Sequence, residues 1–139
     1  MGWIEKLQAK GVIVKKIGKM GEQLRAQWER AFADHISQQE KASIYFDQFL
    51  WHVFSYKMLP CLEEREAVEI FNREQKEECL IFYQNDDRVY HLMNAQCLRA
   101  EDLQDEHDLY VIDPTFTWTY VQTHEWFCGP YFYRKGQRS

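Results

Sequence analysis

The sequence predicts an α+β fold, with N-terminal helices packed on one face of a mainly antiparallel sheet of about four to five strands. Three observations carry this. Apolar residues recur at helical spacing through the first half of the chain, as in Leu24, Trp28 and Phe32. From Cys79 onward, short apolar and aromatic runs alternate with turn residues. The helical pattern precedes the strand pattern instead of alternating with it, which separates α+β from a doubly wound fold.

Taken in order, Trp3 to Lys10 forms a short helix that Gly11 stops. Val12, Ile13 and Val14 are β-branched and read as a short strand. Met20, Leu24, Trp28, Ala31, Phe32 and His35 lie at steps of three and four, one face of an amphipathic helix. Ser37 and Glu40 have capping-box spacing, in which the hydroxyl takes a free backbone N–H and the carboxylate reaches back to the cap. They start a new helix with Ile44, Tyr45 and Phe49 inward. The aromatic run 49–56 is open between a buried helix end and a strand. Glu63 to Arg73 returns to helix, with Ala67, Ile70 and Phe71 inward.

The runs 79–84 and 88–93 flank Asn85, Asp86 and Asp87, which reads as a hairpin. Leu109 to Asp113 is a further strand, closed by Pro114, and Phe116 to Val121 is the next. On the latter, alternation sends Phe116, Trp118 and Tyr120 to one face and Thr117, Thr119, Val121 and Thr123 to the other. Tyr131 to Tyr133 reads as an edge strand. No repeat, linker or composition break divides residues 1–139, so one domain is expected.

The chain has 139 residues, 16% of them aromatic and 28% charged. That composition supports a real core and excludes a disordered chain. A net charge of −5 argues against general nucleic-acid binding, which needs clustered cations. No apolar stretch approaches the ~20 residues that span a bilayer. The start lacks a secretory pattern, so a cytoplasmic protein is expected, with Cys61, Cys79, Cys97 and Cys128 reduced. Their wide spacing contains no CxxC pair, so neither a structural metal nor another cofactor is expected.

The acids Glu101, Asp102, Asp105, Glu106 and Asp108 cluster in one stretch. Such runs serve as solvated faces. The alternative is a face that attracts a basic protein.

Catalytic motifs are sparse. GxSxG, the P-loop, GxGxxG and HExxH are all absent. Ser55 and Cys128 could act as nucleophiles, but neither has an identifiable base in the sequence. The most informative segment runs from Phe116 to Tyr131. His124 and Glu125 follow a strand and precede a Gly-Pro turn, a place for an acid–base pair. Adjacent strand residues face opposite ways, so the two can pair only if the strand has ended by Thr123. The structural alternative is that both satisfy backbone groups of the turn. Candidate catalytic residues are therefore His124 and Glu125. Candidate binding residues are Trp118, Tyr120, Thr123, His124, Glu125 and Tyr131. Sequence leaves open whether His35, His52 and His124 meet.

The segments FADHIS, FLWHVFSY and WTYVQTHEWFCGPYF resemble those of a small bacterial family, found mostly in Bacillus-like bacteria, that carries a domain-of-unknown-function label. The resemblance runs from Gly11 to Phe132. It implies a cytosolic bacterial setting and no particular activity. The ending is also loosely similar to small immunity-type and spore-former proteins. Here Trp126, Phe127 and Cys128 stand between the Glu and the Gly-Pro.

The expected function is a non-catalytic protein-binding module of immunity type. It would meet a basic protein, bind neither nucleic acid nor membrane, and exist as a monomer or homodimer. The alternative is a small enzyme built around His124 and Glu125, with help from Tyr120 and Thr123.

Overall fold

The computed structural model describes residues 2–46, 48–125 and 128–135. In chain order the elements are α1 (Trp3–Ala9), β1 (Ile13–Ile17), α2 (Gly21–Phe32), α3 (Gln38–Ser43), α4 (His52–Ser55), β2 (Leu62–Glu63), α5 (Glu64–Arg73), β3 (Glu78–Tyr83), β4 (Val89–Met93), a 3-10 turn (Ala100–Leu103), β5 (Leu109–Ile112), β6 (Trp118–Gln122) and β7 (Tyr131–Arg134). Among the described residues the strands form one sheet in the order β1-β4-β3-β5-β6-β7-β2. Every pairing is antiparallel.

The fold is α+β, but the sheet has seven strands instead of four or five. The extra strands are at the ends. β1 comes from the N-terminal third and joins β4, while β2 is two residues long and pairs with β7, Leu62 opposite Phe132. So β7 is not an edge, as its sequence suggests, because β2 covers it.

The helices are short, and they are not confined to one face. Strand alternation sends Ile81, Leu92, Val111, Trp118, Tyr120 and Phe132 to one core, with Trp3 and Leu7 of α1 and Ala67 and Phe71 of α5. It sends Phe82, Tyr110, Ile112, Val121 and Tyr131 to a second core, with Leu24, Trp28 and Phe32 of α2 and the segment from Ile36 to Leu59. The central strands β5 and β6 are apolar on both sides, and such a sheet must be covered twice. The burial pattern of β5, all four residues buried, is the local sign of this.

Individual elements follow their chemistry. Gly11 adopts φ +94° just past α1, where only glycine is unstrained. The Ser37–Glu40 capping box forms in full. Met20 is 41% exposed and His35 is exposed, because α2 begins at Gly21 and ends at Phe32. Tyr45 turns the chain at φ +55° and faces outward, and Phe46 takes the inner place instead. The aromatic run 49–56 is resolved as helix, in α4. Phe116 has φ +54° in the β5–β6 turn, so it leaves the alternation expected of it and packs with the second core. Beneath α5, the buried Lys76 donates to the carbonyls of Phe71 (2.6 Å), Glu74 (3.1 Å) and Asn72 (3.4 Å), closing the end of the helix. No helix among the described residues is long and apolar enough to cross a membrane.

Candidate functional site

The β5–β6 ladder positions the site. Leu109 pairs with Gln122, so the residues just outside the ladder, Asp108 and Thr123–His124, come together at its open end. β6 ends at Gln122, which frees His124 and Glu125 from strand alternation. His124 Nδ1 lies 3.0 Å from both carboxylate oxygens of Asp108. Its Nε2 lies 3.3 Å from Glu125 Oε1. One imidazole thus stands between two carboxylates.

Asp108 is buried and already committed on its other side. It accepts from Trp51 Nε1 at 2.9 Å and from the His124 backbone N–H at 3.3 Å. Its φ of +53° is a left-handed conformation that Asp tolerates better than most residues. Next to it, Tyr110 donates its hydroxyl to Gln84 Oε1 at 2.5 Å and accepts from the Trp51 backbone N–H at 3.2 Å. The same Gln84 oxygen takes the Leu50 N–H at 2.9 Å. These bonds pin the segment entering α4 onto the end of the sheet.

That segment brings further rings to His124. Phe49 lies 5.1 Å from it and Trp51 5.9 Å, centroid to centroid. His52 stacks beside Trp51 at 4.6 Å and Phe49 at 5.4 Å, and Tyr56 follows at 5.3 Å from His52. Ser55 Oγ, which has no visible base in sequence, lies 3.0 Å from His52 Nδ1.

The two imidazoles are driven in opposite directions. The hydrogen bond that the His124 Nδ1–H donates to Asp108 raises the pKa of His124, with the charges of Asp108 and Glu125 adding to it and partial burial opposing. Burial lowers the pKa of His52, and the His124 charge pushes the same way against the pull of Glu125 and Asp108. The surroundings of His124 thus stabilise its charged form, while those of His52 stabilise the neutral ring. Cys128, beside Glu125, is no activated nucleophile. Burial first, and then its bond to the Glu125 carboxylate, hold the thiol above its ordinary value. Among the described residues no group of three or more His, Cys, Asp or Glu side chains has the arrangement of a metal site.

The sequence-predicted residues divide. His124 and Glu125 are together at the corner. Thr123 supports them from below, with its buried hydroxyl 3.0 Å from the Glu125 carbonyl and in contact with the Cys128 carbonyl. Trp118 and Tyr120 are elsewhere. They face the other core, where Tyr120 stacks on Phe71 at 4.1 Å and Trp118 on Phe132 at 5.7 Å. At 3% and 0% exposure they offer no binding surface, and Tyr120 cannot assist His124. Tyr131 is also core, stacked over Trp51 at 6.5 Å. Of the three histidines in question, His52 and His124 pack on the same two rings, Phe49 and Trp51. His35 is exposed past α2, away from both. Trp126 and Phe127 lie outside the described residues.

Asp108, Trp51 and Phe49 complete the corner, and sequence reasoning missed their roles; Ser55 it had named as a possible nucleophile, without the His52 base beside it. For Asp108 a signal existed. Extending the two strands of the β5–β6 hairpin by one residue each places it beside Thr123.

Residues 1–132 match the family described as Domain of unknown function (DUF4275). The chain belongs to that family. No curated protein and no solved structure matches it. The DUF4275 match spans every element of the fold through Phe132, and so includes the whole corner from Phe49 to Glu125.

Proposed function

We propose that this DUF4275 chain is a non-catalytic protein-binding module of immunity type, acting in a bacterial cytoplasm, and that the His124 corner receives a basic segment of its partner. The observation that carries the reading is the row of partly exposed rings Tyr56, His52, Phe49 and His124, spaced 5.3, 5.4 and 5.1 Å, with Glu125 at its rim. Aromatic faces attract Lys and Arg, and a nearby carboxylate strengthens the hold. Rigid aromatic anchors are also the residues that dominate protein interfaces. Two carboxylates, Asp108 and Glu125, oppose one imidazolium, so the corner keeps a net negative charge, in keeping with the −5 of the whole chain.

The acidic stretch 101–108 is a weaker docking surface than its composition suggests. Asp102 is held by Lys10 at 2.9 Å, Glu106 takes the Tyr83 hydroxyl at 2.5 Å, and Asp108 serves His124. Only Glu101 and Asp105 of the five are fully exposed.

The test is a pull-down from the native host with wild type, Tyr56→Ala and Glu125→Lys, read by mass spectrometry. The reading expects one stoichiometric basic partner, released by high salt and lost from both variants. A partner held equally by all three proteins overturns it.

A second reading is favoured by one specific observation: two imidazoles on the same aromatic pair, Phe49 and Trp51, have their pKa values pushed in opposite directions, and one of them lies on a serine hydroxyl. That is the environment of a paired base and acid. Here His52 would take the Ser55 proton and His124 would donate one to a leaving group. Hydrolysis of an ester or amide probe by wild type, abolished in a folded His124→Gln variant, would decide for it.

A further inference from the structure

The second core does not cover its whole sheet face. α2 sits over Phe82, Tyr110 and Val121. It leaves the corner formed by the start of β3, the end of β4 and the edge strand β1. There the register sets two rows across three strands. Ile13, Met93 and Glu78 form one, and Lys15, His91 and Leu80 the next. On the opposite face of the same strands, Leu92, Cys79 and Ile81 are fully buried. In the two rows nothing is. Ile13 is 48% exposed, Lys15 is exposed, and Met93, His91, Leu80 and Glu78 are all partly exposed. Among the described residues no strand lies beyond β1, so the edge is open as well. This lies at the end of β3 away from Asp108 and His124, so it is separate from the corner discussed above.

We propose that this face binds a second copy of the chain, sheet against sheet, in a two-fold dimer. The charge arrangement selects that occupant. Lys15 and Glu78 sit at opposite corners of the rectangle made by the two rows, with Ile13 and Leu80 at the other two. Strands are about 4.8 Å apart and same-face residues about 7 Å apart along a strand. A two-fold axis in the interface plane, crossing the Lys15–Glu78 diagonal at right angles, therefore sets each Lys15 over the partner's Glu78. The same rotation brings Ile13 to within about 4 Å, in projection, of the partner's Ile13, and Leu80 likewise to the partner's Leu80, with Met93 beside Ile13. An isologous interface needs a surface complementary to itself, and this one is, in charge and in apolar contact together. Lys15 has no ion-pair partner within its own chain among the described residues, whereas Glu78 meets only His91, at 3.1 Å. Lys15 and Lys16 on the open edge also discourage edge-to-edge strand pairing, which leaves the face as the route to association. The area is small for an interface, so the dimer is a weak one.

Sedimentation velocity of the full chain from roughly 10 µM to 1 mM tests this, over the range expected of a small interface. Wild type is expected to pass from monomer to dimer within that range. Lys15→Glu and Glu78→Lys should each weaken the dimer about tenfold, and the double variant should recover most of the loss, as a direct pair requires. Lys15 is exposed on an open edge, so its variant keeps the fold, and Ile13→Asp, equally exposed, should abolish association. A monomer at every concentration overturns the proposal and leaves the face to a different protein or to solvent. A dimer indifferent to both single charge reversals overturns it as well.

Discussion

Both carboxylate oxygens of Asp108 lie 3.0 Å from Nδ1 of His124, with Asp108 buried and His124 at the surface. A buried carboxylate that orients an exposed imidazole fixes its tautomer and favours its charge. Asp108→Asn keeps the shape and removes the charge. The NMR titration midpoint of His124 in that variant should fall below the wild-type value. Asp108→Ala also orphans the fully buried Trp51 indole N–H, and should cost about 1.5–3 kcal/mol of stability in urea unfolding, the range for hydrogen bonds to charged groups. An unchanged His124 midpoint in Asp108→Asn would mean that Glu125 alone holds the proton.

The opposed shifts of His52 and His124 give stability a pH signature. The folded pKa of His124 is raised from 6.5, so its contribution is complete below that value and is lost as pH rises through the folded pKa. The folded pKa of His52 is lowered from 6.5, so its contribution is complete above that value and is lost as pH falls through the folded pKa. Together they produce a maximum near the ordinary histidine value. His124→Gln should flatten the alkaline side of the stability profile, and His52→Gln the acid side. Because His124 is partly solvated, its limb is the shallower. Thermal midpoints at half-unit pH steps would read both. A His52→Gln profile as steep as wild type below 6.5 would show that His52 does not carry the acid limb.

These histidines also mark how far sequence reached. Local chemistry was legible. Gly11 ended α1, the Ser37–Glu40 box started α3, and Asn85 to Asp87 turned the β3–β4 hairpin, because each depends on a few neighbouring residues. His124 and Glu125 stood out for the same reason. That His52 and His124 share Phe49 and Trp51 was not legible, since it depends on where α4 lands on a sheet formed by later residues. Trp118 and Tyr120, named as candidate binding residues, lie in the core; alternation shows that two faces differ, but not that helices cover both. β2 was invisible because two residues carry no period. It exists because the entry to α5 crosses β7, where the Glu64 N–H donates to the Pro130 carbonyl at 2.9 Å.

Thr119 tests that second covered face. It was read as a small residue on a strand, and it is the buried acceptor for Trp28 Nε1 at 2.9 Å, while donating to the Val111 carbonyl at 3.1 Å. Trp28 and Thr119 are both at 0% exposure. Thr119→Val preserves the shape and strands the indole N–H, so it should destabilise the protein by about 1–3 kcal/mol in urea unfolding. Thr117→Val, at the partly exposed turn, serves as the control and should cost less. A Thr119→Val variant as stable as wild type would mean that water reaches Trp28, and that α2 is seated more loosely than its packing implies.

The cysteines bear on the choice between binding and catalysis. Burial pushes the thiols of Cys61 and Cys79 up to about 12, with the charge of Glu63 adding to the effect at Cys61. At pH 8 such a thiol is ionised to only about one part in ten thousand, against about a quarter for an ordinary cysteine of pKa about 8.5. Alkylation by iodoacetamide in the native state should therefore be slow at both, by about three orders of magnitude, and should become fast in urea. Cys128 should also react slowly, since burial and the Glu125 carboxylate raise its pKa too. Peptide mapping after timed alkylation separates the sites. Rapid labelling of Cys128 at neutral pH would mean that Glu125 turns away from it in solution.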